Sequence, residues 1–146
     1  MNLFLDTSAI VKLYNPEAET EELTNFILQD DIEEILISEI ALIEFHSAFW
    51  KKFRENQITE DDLNIVIKLF SNETFYKIIP LSESIIKTAI DLMERHGRNG
   101  LRTLDSIQMS SIFIANVNYD DLTVITFDSI LTKIIALEGI QIYSKS

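Results

Sequence analysis

Short apolar runs recur along the chain, and each is followed by a longer stretch with apolar residues at helical spacing. Leu3 to Leu5, the segment EEILIS at 33–38, YKIIPL at 76–81 and LTVITF at 122–127 each read as a strand. Strands separated by helices pair in parallel, because a parallel pair needs a crossover connection and a tight turn cannot supply one. The alternation therefore predicts an α/β fold with a central, mostly parallel sheet of about four to five strands flanked by helices on both sides. The fifth strand would be the short segment QIY at 141–143.

The intervening helices carry their own start and stop signals. SAIVKLYNPE reads as a short helix that stops where Pro16 restricts Asn15. Residues 17–29 read as a second helix, with Leu23, Phe26 and Ile27 on one face. Ser38 is placed to cap a long helix over 39–56, and Thr59 to cap 60–70, where Glu60, Asp61 and Asp62 suit the positive end of the helix dipole. Ser82 caps 83–96, which Gly97 would close in a left-handed conformation. A helix starting at Thr103 or Leu104 is apolar on most sides, so burial is expected, and a last helix over 129–138 would be closed by Gly139.

With 146 residues the chain fits one domain, residues 1–146, and with only three Gly and two Pro it needs no linker. No apolar stretch approaches the roughly 18 residues of a membrane span, and no basic run precedes an apolar core at the start. A soluble, cytoplasmic protein without membrane contact is expected. The absence of cysteine rules out disulfides, thiolate metal sites and thiol nucleophiles. A net charge of −12 argues against a charge-driven nucleic-acid binder, but it leaves room for an enzyme whose own acids form the site. The basic residues are clustered, at Lys51, Lys52 and Arg54 and at Arg95, Arg98 and Arg102.

Two strands run directly into an acid: LFL into Asp6 and TVITF into Asp128. Ligands of open parallel sheets sit at the carboxyl ends of the strands, so both acids fall on the functional edge. An Asp at a strand-to-helix turn is equally a good N-cap, and either residue alone is compatible with capping. Asp105 opens an apolar helix, and Glu44 lies in mid-helix bordering the stripe of Ala41, Leu42, Phe45, Ala48, Phe49 and Phe53. The runs EAETEE, DDIEE and EDD read as solvated faces. His46 and His96 have no ligand spacing and read as surface or loop residues, while Phe45, Phe49, Trp50 and Phe53 read as core or interface. Were Asp6, Glu44, Asp105 and Asp128 to converge, their repulsion would call for a cation. Oxygen donors select the hard ions Mg²⁺ or Mn²⁺, which favour phosphodiester hydrolysis.

Four segments in this order, LFLDTSAIVKLY, ISEIALIEFHSAFW, GLRTLDSIQMSS and VITFDSILTKIIALEGI, resemble the PIN-domain ribonucleases, specifically the VapC-like toxins of toxin–antitoxin pairs. The resemblance covers the whole chain. It implies a PIN-like fold and endonucleolytic cleavage of RNA at Asp6, Glu44, Asp105 and Asp128, which would be the Mg²⁺ or Mn²⁺ ligands. It also implies support from the Ser8 and Thr126 hydroxyls, a homodimer, and inhibition by a small antitoxin. Lys12, Arg98 and Arg102, close in sequence to Asp6 and Asp105, are the candidate phosphate contacts. Two other readings stay open: a phosphatase-like Mg²⁺-dependent hydrolase using Asp6 covalently, and a non-catalytic interaction module. Replacing Lys12, Arg98 and Arg102 together with Ala should weaken RNA binding and flatten its salt dependence; an unchanged salt slope in a filter-binding titration would remove these three from the RNA surface.

Overall fold

The computed structural model describes residues 1–17 and 19–144. Strand β1 (Asn2–Leu5) is central and pairs in parallel with β2 (Glu34–Ser38) on one side and β4 (Leu122–Ile125) on the other. Strand β3 (Tyr76–Ile79) adds to β2, giving the order β3-β2-β1-β4 with every pairing parallel. The register sets Phe4 opposite both Leu36 and Val124. Because side chains alternate along a strand, this row of three faces one way while Leu3, Leu5, Ile37 and Ile125 face the other. Both faces are covered at β1 and β4, whose residues are all buried, whereas the edge strand β3 is partly exposed.

One core lies between the sheet and helices α1 (Thr7–Tyr14), α2 (Thr20–Ile27), α3 (Ile40–Arg54) and α4 (Glu60–Ser71). It contains Ile10, Leu23, Ala41, Phe45, Phe49, Leu63 and Phe70. The other core lies under α5 (Glu83–His96), α6 (Thr103–Asn118) and α7 (Ser129–Leu137), with Leu92, Met109, Ile112, Leu131, Ile134 and Ile135. The first core is aromatic at its centre: Phe45 stacks on Phe70 with ring centroids 4.0 Å apart and meets Phe49 at 4.7 Å and the edge of Tyr14 at 5.4 Å. Trp50, on the same helix, is exposed. Among the described residues no helix is long and apolar enough to cross a membrane.

Most of the start signals act as anticipated. Thr59 accepts a hydrogen bond from the Asp62 backbone N–H, and the Asp62 carboxylate accepts one from the Thr59 N–H. Ser82 accepts from the Ile85 N–H. Five details differ. Ser38 stays in β2 and bonds to the Ile40 N–H instead, because Glu39 is already helical. The second helix begins at Thr20, whose hydroxyl accepts from the Glu17 N–H and donates to the Lys12 carbonyl, tying the preceding segment into a turn; Ala18, within the expected helix, lies outside the described residues. Gly97 takes a right-handed φ of −54° and opens a 3-10 turn (Gly97–Asn99), so the left-handed position passes to Gly100, with φ of 87°. The segment at 141–143 forms a single parallel bridge from Ile142 to Val124 rather than a full strand. His96, expected at the surface, is buried, with Nε2 2.7 Å from Glu138 Oε1, an oxygen that also accepts from Arg95.

Phe45→Ala should lower the unfolding free energy by about 3–5 kcal/mol in urea denaturation, through lost burial and an unfilled cavity. Trp50→Ala should change it by less than about 1 kcal/mol, as an exposed position does.

Candidate active site

Strands β1 and β4 end side by side, and the Asp6 N–H donates to the Ile125 carbonyl at 3.2 Å, so the pairing continues to the last residue before each loop. There Asp6 turns into α1 as its N-cap, accepting the Ala9 N–H at 3.0 Å. Asp128 does the same for α7 by accepting the Leu131 N–H at 2.8 Å. The capping and the functional readings of these acids are therefore compatible: capping fixes each carboxylate at the carboxyl edge of the sheet.

Two hydroxyls join these loops. Ser8 donates to Asp6 Oδ1 at 2.6 Å and accepts from the Phe127 N–H at 2.8 Å. Thr126 donates to Asp6 Oδ2 at 2.5 Å and accepts from the Asp128 N–H at 3.1 Å. Asp6 is only 2 % exposed and has no ion pair among the described residues. Burial pushes its carboxyl up to about 6 against the three hydrogen bonds that favour the anion, and the nearby Asp128 charge adds to the rise.

Glu44 reaches the same region from α3. Its Oε1 accepts from Thr7 Oγ1 and from Gln108 Nε2, each at 2.9 Å, which links it to the residue next to Asp6 and to α6. Asp105 stands in the first turn of α6, where Oδ2 accepts from the backbone N–H of Arg102 at 3.2 Å and from its Nε at 3.3 Å. Of the basic candidates, Lys12 is engaged: its Nζ lies 2.7 Å from Glu17 and 3.0 Å from Glu19, with the Phe127 ring centroid 4.7 Å away. The hydrogen bond it donates to Glu17 is the main reason its ammonium is held above the usual lysine range. Arg98 is exposed on the 3-10 turn, and exposed Arg102 is tied to Asp105. Thr7 and Gln108 were not singled out from the sequence. The available signal was an amide in the apolar stretch of the helix, one turn beyond Asp105.

Among the described residues no three acidic or histidine side chains stand close enough to hold a metal ion as placed. The donor set nevertheless suits one: a buried carboxylate without a basic partner among the described residues, a second carboxylate beside it, and oxygen donors throughout. Mg²⁺ keeps several waters and is commonly held by one or two carboxylates, so a closed protein cage is not required.

This fold, with acids at the ends of β1 and β4 and at the start of α6, is that of a nuclease-like α/β domain. The sequence matches the PIN domain family over residues 3–136, and the chain belongs to that family. Solved structures share the fold at low identity. VapBC2 from Rickettsia felis, bound to a promoter DNA fragment, matches with a TM-score of 0.67 at 16% identity, covering 100% of both chains. Mycobacterium tuberculosis VapC20, a sarcin–ricin loop cleaving toxin, matches with a TM-score of 0.65 at 14% identity over 90% of this chain and 93% of that one. A toxin–antitoxin complex from Klebsiella pneumoniae matches at 0.59 and 19% identity over 97% and 96%. No curated protein matches the chain in sequence.

The raised Asp6 acid makes a signed prediction. The folded state holds this proton up to about pH 6 while the unfolded chain releases it near 3.8, so folded stability falls as pH rises between these values. A rise of this size is worth about 3 kcal/mol once Asp6 is ionised. Asp6→Asn should therefore raise the melting temperature of the metal-free protein at pH 7.5, with the gain shrinking toward pH 4. An equal gain at both pH values in EDTA would mean that ionised Asp6 is not the source.

Proposed function

We propose that the chain is a divalent-metal-dependent endoribonuclease, a single PIN-like nuclease domain over residues 1–146 that hydrolyses RNA phosphodiester bonds. The observation that carries the reading is Asp6: a nearly inaccessible carboxylate, without a cationic partner among the described residues, at the carboxyl edge of a parallel sheet beside a second acid. Asp6, Glu44, Asp105 and Asp128 are assigned as the catalytic acids and the holders of Mg²⁺, or of Mn²⁺. When bound, such a cation offsets the phosphate charge and acidifies the attacking water. The chain's own residues do the rest. Ser8, Thr126 and the Ala9 N–H hold Asp6 as an anion in a fixed orientation. Arg102 restrains Asp105 and can exchange that contact for phosphate, as Lys12 can exchange Glu17, while Arg98 is exposed nearby in sequence.

The biological setting proposed is the cytoplasm, as the toxin of a toxin–antitoxin pair. Its support is the fold shared with a toxin–antitoxin complex and with a sarcin–ricin loop cleaving toxin. A homodimer is supported by Ile86 and Ile90, apolar and exposed one turn apart on α5. The phosphatase-like alternative fares worse, because an enzyme of that kind wants a second acid two residues after its nucleophilic Asp, and there the chain has Ser8, which donates to Asp6 itself.

The test is cleavage of single-stranded RNA in Mg²⁺, Mn²⁺ or EDTA by the parent and by Asp6→Ala and Asp105→Ala. Activity should need the cation and fall more than about 100-fold in each variant, beyond what loss of a merely supporting residue gives. Cleavage that survives EDTA or either substitution would end the metal-nuclease assignment.

A further inference from the structure

Glu44 is the one proposed site acid that has both a long side chain and a mid-helix position, so nothing in the backbone fixes its carboxylate. Two side chains do. Thr7 Oγ1 and Gln108 Nε2 both donate to Glu44 Oε1 at 2.9 Å, and Gln108 Nε2 also lies 2.9 Å from Thr7 Oγ1. The three groups thus converge on one oxygen and leave Oε2 without a hydrogen bond among the described residues. Thr7 follows Asp6 directly. Gln108 lies three residues after Asp105 and hence on the same face of α6.

The glutamine itself is placed at a disadvantage. It is only 3 % exposed, and its Oε1 is buried with no partner among the described residues. Turning the amide over would not relieve this, since Oε1 would then confront the Glu44 carboxylate, acceptor against acceptor. A buried polar atom left unpaired is costly, so packing alone gives no reason for an amide here. What the amide supplies is the donor to Glu44.

We infer that Gln108 is a positioning residue for Glu44: together with Thr7 it pins Oε1, so that Oε2 is the oxygen presented to the cation site. The inference rests on the metal-nuclease reading and deepens it. An orienting partner of this kind acts on affinity for the ion, typically by 10–100-fold. Gln108→Leu should therefore weaken Mn²⁺ binding measured by calorimetry about 10-fold or more, and raise the Mg²⁺ concentration for half-maximal RNA cleavage by a similar factor. The rate at saturating Mg²⁺ should return to within a few-fold of the parent. Gln108→Met, unbranched and similar in length, should behave alike and guards against a packing fault from leucine, with circular dichroism and the melting temperature confirming the fold of each. In a Glu44→Gln background, Gln108→Leu should add nothing, because its effect runs through Glu44. Parent-like Mn²⁺ affinity in both folded Gln108 variants, or a full additional loss in the Glu44→Gln background, would overturn the assignment. A parent protein that binds no Mn²⁺ and cuts no RNA would instead overturn the nuclease reading, and the role of Gln108 with it.

Discussion

The burial of one carboxylate organises the end of this molecule where chemistry is expected. Asp6 sits at the edge of a sheet covered on both faces, almost without solvent, and it is accommodated only because Ser8, Thr126 and the Ala9 N–H supply three donors. The same two hydroxyls accept from the Phe127 and Asp128 backbone N–H groups. An acid that would otherwise destabilise the sheet edge is thereby the centre that holds the β1 and β4 loops together. The residual strain is electrostatic: even with these donors, burial keeps the Asp6 acid well above the ordinary aspartate range. A site left in that condition is favourable to a cation.

The packing of two helices fixes where two further acids stand. Helix α3 is anchored by Phe45 and Phe49 in the aromatic core, which leaves its adjoining face, with Glu44, turned toward Thr7 and Gln108. Helix α6 is buried on its sheet side through Met109, Ile112 and Ala115, and its small polar residues are individually satisfied: Ser110 donates to the Ile85 carbonyl and Ser111 to Ser38. Helix α6 can therefore pack closely and still carry Asp105 and Gln108 at its first turns. Lys12, clamped by Glu17 and Glu19 next to the Phe127 ring, places a cation in this region whose charge those two carboxylates offset.

Much of this was readable from local pattern. The four strands, the Thr59 and Ser82 caps and the two strand-end acids follow from apolar runs, hydroxyls before helices, and carboxylates after strands. Errors arose where a neighbour distant in sequence decided the outcome. His96 has no local partner, yet Glu138, 42 residues further along the chain, holds it inside. The roles of Thr7 and Gln108 were invisible for the same reason, since they meet Glu44 across 37 and 64 residues of chain.

The sequence by itself determined the alternation of strands and helices, and with it a parallel sheet with two covered faces, because periodicity and capping act over a few residues. It also determined which carboxylates lie at element ends. Only the tertiary structure decided that capping and burial coincide at Asp6, that Ser8 and Thr126 join two loops more than a hundred residues apart, and that Glu44 is held by α1 and α6 together. The physical reason is range. Hydrogen-bond donors and desolvation act on a carboxylate over a few ångströms in space, and only folding sets which residues come within them.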